Sequence, residues 1–123
     1  MNPYPSVSIG IGCSSRATVE DVIGLIESCV VEIVPDSILA TLDRCSSVGE
    51  AVATRLGLRL MLFPANILAQ VAGVKSHSLL ASAKVGTSSV AEASALASLG
   101  PTAQLTLLRQ TGRFCTCAVA VLR

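Results

Sequence analysis

The sequence predicts an α/β fold of three layers, α/β/α, around a mixed, mostly parallel sheet of about five strands. Three observations carry this. Apolar runs of strand length alternate with amphipathic stretches of helical period, the pattern that places helices on both faces of a parallel sheet. Glycine and proline punctuate the joins, as at Gly57 and Gly100-Pro101. The alternation then gives way to two strands around a turn containing Gly112, which read as an antiparallel hairpin.

Taken in order, residues 1–5 read as an irregular leader, and Val7 to Gly12 is an apolar strand. Thr18 to Ile33 follows with Val19, Val22, Ile23, Ile26, Val30 and Ile33 on one helical face. Pro35-Asp36 stops it, and Ile38 to Leu42 is the second strand. Ser47 to Leu56 is a helix with Gly57 just past its end, and Arg59 to Phe63 is the third strand. Pro64 suits the first position of a helix running to about Ala72. Gly73 to Ser78 reads as a loop and Leu79 to Lys84 as a short helical turn. Ser89 to Leu99 is a helix whose small residues allow a close approach to the sheet, and Gln104 to Arg109 and Arg113 to Leu122 form the hairpin. The 123 residues form one domain of ordinary size, 51% hydrophobic, with no internal repeat.

Composition disfavours several functions. A net charge of +1 gives little support to a partner whose phosphates must be neutralised. The aromatics are Tyr4, Phe63 and Phe114, too few for a base-stacking platform. The most apolar long window, Ala93 to Leu108, is interrupted by Gly100-Pro101, short of the ~20 apolar residues a membrane span needs. No basic start with an apolar core follows Met1, so a cytoplasmic location is expected, without nucleic-acid or membrane partners. The five cysteines, Cys13, Cys29, Cys45, Cys115 and Cys117, then read as free thiols, with Cys115 and Cys117 as small buried hydrophobes.

Three helix starts share one pattern: Thr18 with Asp21, Ser47 with Glu50, and Ser89 with Glu92. Each places a hydroxyl three residues before a carboxylate, the capping-box arrangement. The glycine-rich turn GIGCSSR (Gly10 to Arg16) suggests a phosphate loop, but the third glycine of the dinucleotide fingerprint is Ser15. Glu20 and Asp21 in the following turn would repel a pyrophosphate. A nucleotide-binding module is therefore a minor alternative.

In a parallel sheet, ligands bind outside the carboxyl ends of the strands. The loops predicted there bring Gly10, Gly12, Cys13, Ser14, Ser15, Arg16, Thr18, Asp43, Arg44, Thr87, Ser88, Ser89 and, from the hairpin, Arg109. Hydroxyls, amides and arginines suit a ligand edged with carboxylates; the same hydroxyls also serve as ordinary turn and cap residues. Asp43 and Glu92 are the acid/base candidates and Cys13 the candidate nucleophile. His77 reads as a solvent-exposed histidine, and no metal-ligand spacing is present.

The segments GIGCSSRATVEDV, ATLDR, GLRLMLFPANIL, VGTSSVAEASALASLG and LLRQTGRFCTCAVAV, in this order, resemble the cobalamin biosynthesis family of CobE and the C-terminal domain of CbiG. SSVAEASAL and the GIGC loop are the most specific pieces. The resemblance implies a protein of the aerobic corrin pathway, binding a corrinoid or precorrin intermediate as carrier or accessory factor, with no cofactor of its own. Other cobalamin biosynthesis enzymes are expected partners. In two-domain relatives it implies hydrolytic opening of a precorrin ring lactone, the alternative activity here. The family pattern has a lysine shortly after the acid at Asp43; Cys45 stands in its place, and Thr111 replaces a basic residue of the final turn.

Overall fold

The computed structural model describes residues 6–75 and 89–122. Its sheet has five strands: β1 (Val7–Cys13), β2 (Ile38–Leu42), β3 (Arg59–Phe63), β4 (Gln104–Thr111) and β5 (Cys115–Val121). Their spatial order is β3-β2-β1-β5-β4. Strands β1, β2 and β3 pair in parallel, while β5 runs antiparallel to both β1 and β4. The mixed sheet and closing hairpin are those the sequence predicts.

Alternation along the central strands sorts two faces. Ile9, Ile11, Leu39, Cys115, Cys117 and Val119 pack with Val22, Ile23, Leu25 and Ile26 of α1 (Val19–Cys29) and Val52 and Ala53 of α2 (Ser46–Leu56). The opposite face is built of small residues. Ser8, Gly10 and Gly12 of β1 lie opposite Ala120, Ala118 and Thr116 of β5. On them lies α4 (Val90–Leu99), which buries Ala91, Ala93, Ser94 and Ala95. With short side chains on both partners, helix and sheet approach closely: a Cβ at Gly10 would stand 1.9 Å from the Ala91 carbonyl oxygen. The hydroxyls of Ser98 and Ser8 bond at 2.6 Å across this interface. Between β3 and α4 lies α3 (Ala65–Leu68), whose Leu68 is fully buried against Leu42 and Ala93.

Several local expectations are corrected. The first helix ends at Cys29, not Ile33. Val30 is already extended, Val31 is fully exposed, and β-branched residues gain little from another turn. The Thr18–Asp21 capping box forms in both directions, at 3.1 Å each. The Ser47–Glu50 box does not. A 3-10 turn at Asp43–Cys45 leads directly into α2, so Cys45 occupies the cap and Ser47 lies inside the helix. Pro64 is extended and caps a helix of only four residues, Ala65–Leu68. At α4 only half of the box forms: Ser89 Oγ accepts the Glu92 N–H at 3.2 Å. The expected turn at Leu79 to Lys84 lies outside the described residues.

Candidate functional site

Strand β1 ends beside the start of α2. The chain leaving Cys13 bonds across to the hairpin, Ser14 N–H donating to the Phe114 carbonyl at 2.9 Å. The chain leaving β2 folds back in the 3-10 turn. Between them opens a cleft of about 220 Å3 lined by Cys13, Ser14, Ser15, Arg44 and Cys45. It lies at the carboxyl end of the parallel strands, where the sequence places the loops of Cys13, Ser14, Ser15 and Arg44.

The cleft has a positive and hydroxyl-rich wall. Arg44 is exposed at its edge. The first turn of α2 holds no acid and has no side-chain cap, so its positive end is not neutralised by its own residues. Next to the cleft, the Arg16 guanidinium stacks on the Phe114 ring at 4.7 Å, and Arg113 approaches the same ring at 5.6 Å. Phe114 has a backbone φ of 61° and is 37% exposed. A bulky residue is rarely held in that conformation, and here it sets a partly exposed aromatic ring under two arginines.

Two thiols form the floor. The Cys45 thiol donates to the Cys13 carbonyl oxygen at 3.7 Å, and the two thiol side chains interact. That interaction, with help from the Arg44 charge, outweighs burial and lowers the Cys45 thiol to about 6. The same interaction, together with burial and the nearby Cys45 and Cys115 sulfurs, pushes Cys13 up. The thiolate character expected at Cys13 thus sits on Cys45. Buried Cys117, which faces Cys29, is raised to about 12 by burial first.

The other candidates separate from the cleft. Gly10 is covered by α4, and a Cβ at Gly12 would stand 2.6 Å from Thr116 Oγ1 and 3.6 Å from Val90. Both glycines therefore make room for helix and strand, and Gly10 is sealed from any ligand. Thr18 caps α1, and Ser89 is buried as the cap of α4. Asp43 is exposed at the 3-10 turn but does not line the cleft. Glu92 is fully buried; its carboxylate oxygens accept the N–H of Lys75 at 2.7 Å and of Arg109 at 2.8 Å. It ties the segment after α3 and strand β4 to α4, and so is spoken for as a structural acceptor. Arg109 enters through its backbone. Thr87, Ser88 and His77 lie outside the described residues. Cys45, Phe114 and Arg113 are not among the sequence candidates: Cys45 stands out only as the replacement for the family's lysine, and Arg113 and Phe114 lie in the turn between β4 and β5 without a motif. Among the described residues no cluster of histidine, cysteine or carboxylate groups could hold a metal ion, and no helix is long and apolar enough to cross a membrane.

Comparison with known proteins gives a consistent result. Residues 7–120 match the family model described as Cobalamin synthesis G C-terminus. A solved structure of CobE, a protein from the cobalamin (vitamin B12) biosynthetic pathway, superposes with a TM-score of 0.80 at 28% identity, covering 100% of this chain and 95% of CobE. The cobalamin biosynthesis protein chiG of Agrobacterium tumefaciens str. C58 gives 0.70 at 26% identity, covering 94% of this chain and 98% of its own. A putative cobalamin biosynthesis protein G homolog from Sulfolobus solfataricus shares the fold, with a TM-score of 0.72 at 19% identity; the match covers 97% of this chain and 37% of that longer one. A search of curated proteins gives no match.

Proposed function

The chain belongs to the Cobalamin synthesis G C-terminus family, and from that premise we propose that it binds a corrinoid or precorrin intermediate at the cleft between β1 and α2. Membership makes it a protein of the cobalamin biosynthesis pathway. The observation that carries the finer reading is the concentration of arginines and hydroxyls at one strand edge: Arg44, Ser14 and Ser15 in the cleft, with Arg16 and Arg113 beside it. Corrin precursors bear acetate and propionate arms, and carboxylates take charge-assisted bonds from such donors.

Size restricts the mode of binding. A pocket enclosing a drug-sized ligand is typically ~300–1,000 Å3, and this cleft is about 220 Å3. It admits an arm or one edge of the macrocycle. The ring itself would lie over the rim, where Arg16 and Arg113, held against Phe114, supply positive charge. An open seat of this kind suits a carrier or accessory factor that passes its ligand on. A hydrolytic role is less well served, because Glu92 is engaged by backbone amides and Asp43 stands outside the cleft. The test is Arg44→Ala against Arg55→Ala, a distant surface control, in equilibrium binding of a corrin-ring intermediate. A charge-assisted bond is worth roughly 1.5–3 kcal/mol, so Arg44→Ala is expected to weaken binding about tenfold or more while Arg55→Ala leaves it unchanged. Equal affinities would remove the cleft from the proposal.

A further inference from the structure

The thiols beneath the cleft support an inference independent of corrinoid binding. Cys117 is fully buried and Cys115 and Cys45 nearly so, but Cys45 together with the half-buried Cys13 lines an open cavity. The Cys45 sulfur comes within 3.7 Å of the Cys13 carbonyl oxygen although the residues come from different strand ends. The groups around Cys45 favour its anion: the Cys13 thiol, the exposed Arg44 and an α2 start without acidic residues. The charged and titratable groups bearing on the pair are Arg44, which acts on Cys45, and Cys115, which acts on Cys13.

We propose that Cys45 and Cys13 form an oxidation site for small hydroperoxides, with Cys45 as the nucleophile and Cys13 as the resolving thiol. The Cys45 thiolate attacks one peroxide oxygen and the O–O bond breaks. The departing alkoxide or hydroxide takes a proton from solvent, and Cys45 becomes a sulfenic acid. The Cys13 sulfur then attacks the Cys45 sulfur. The S–S bond forms, the S–O bond breaks, and hydroxide leaves with the Cys13 proton as water. Two thiols and one hydroperoxide give one disulfide, one alcohol (or water) and one water. The product bridges the two sides of the cleft, so oxidation alters the same cavity that the thiols floor.

The experiment treats the reduced full-length chain with one equivalent of hydrogen peroxide at pH 7, blocks remaining thiols, and maps peptides by mass spectrometry. The proposal expects loss of two thiols per chain and a Cys13–Cys45 cross-linked peptide. It expects Cys13→Ser to stop at a Cys45 sulfenic acid that dimedone captures, and Cys45→Ser to keep its other thiols. Oxidation confined to other cysteines, or unaffected by Cys45→Ser, would overturn it. Should either variant fold poorly, the wild-type chain still decides. Iodoacetamide should modify Cys45 at pH 7 at least about tenfold faster than Cys29, with a rate midpoint near the lowered value of about 6. Equal rates at the two cysteines would refute the assignment.

Discussion

Replacing Gly10 by alanine should unfasten α4 from the sheet. The added Cβ would stand 1.9 Å from the Ala91 oxygen, 2.8 Å from the Ala95 nitrogen and 2.9 Å from the Ala91 carbon. All three are backbone atoms, so no side-chain rotation relieves the clash. To regain the 3.4 Å at which ordinary contact begins, the helix must recede by about 1.5 Å. A gap of 0.5–1 Å already forfeits roughly a quarter to a half of a dispersion contact, and the contacts of Ala91, Ala93 and Ala95 would all loosen. Overpacking typically costs about 1–3 kcal/mol; with backbone as the obstacle we expect about 3 kcal/mol or more. For a chain of this length that is a fall in Tm of roughly 10–15 °C, a large part of the ~5–15 kcal/mol that holds a domain folded. The paired control is Gly24→Ala. Gly24 lies in the exposed face of α1 with nothing within 4 Å of its Cβ position, so helix propensity predicts a gain of about 0.5–1 kcal/mol. Urea and thermal unfolding of both variants read the difference. A Gly10→Ala chain within about 1 kcal/mol of wild type would refute the close-packing account.

Other consequences follow from the same structure. Glu92→Ala removes the acceptor of the Lys75 and Arg109 amides; at ~1–3 kcal/mol for each unmet donor, stability should fall by about 3 kcal/mol or more, with faster amide exchange at Arg109 as the local readout. The thiols predict a pH profile. Cys45, lowered from 9.0 to about 6, adds stability that is complete above pH 9 and lost as pH falls through 6, so stability should rise across pH 6–9 in wild type and rise less in Cys45→Ser. Cys117, raised to about 12, adds stability that is complete below pH 9 and lost as pH climbs towards 12, so denaturant midpoints should decline over that range. The Arg55–Glu20 pair, 3.2 Å apart with both side chains more than half exposed, should contribute little: Glu20→Ala should move stability by less than about 1 kcal/mol in a urea melt.

The readable parts of this fold are those fixed by short-range pattern. The strand Ile38–Leu42, the strand Arg59–Phe63, the left-handed Gly57 and the Thr18–Asp21 box follow from period, propensity and cap chemistry within a few residues. The corrected parts depend on neighbours far along the chain. Ser47–Val–Gly–Glu50 has the composition of a cap, but the 3-10 turn entering from β2 starts the helix earlier. The glycines of GIGC look like a ligand loop because their real occupant, α4, begins some eighty residues later. Glu92 matches a capping box, yet its side chain serves Lys75 and Arg109. The same limit applies to the site. The carboxyl-edge loops with Cys13, Ser14, Ser15 and Arg44 could be placed by the βα rule. The coupling of Cys13 to Cys45 could not, because only the pairing of β1 with β2 brings the two thiols together.

The central claim is a corrinoid seat that recognises carboxylate arms. The most direct test titrates the full chain with two corrin-ring compounds, one with free carboxylate arms and one with the arms amidated, following the visible absorbance of the ring. The account predicts a saturable spectral shift with the carboxylate form, weakened by salt and by Arg44→Ala, and binding at least about tenfold weaker for the amidated form. No shift with either compound, or equal and salt-insensitive binding of both, would contradict it.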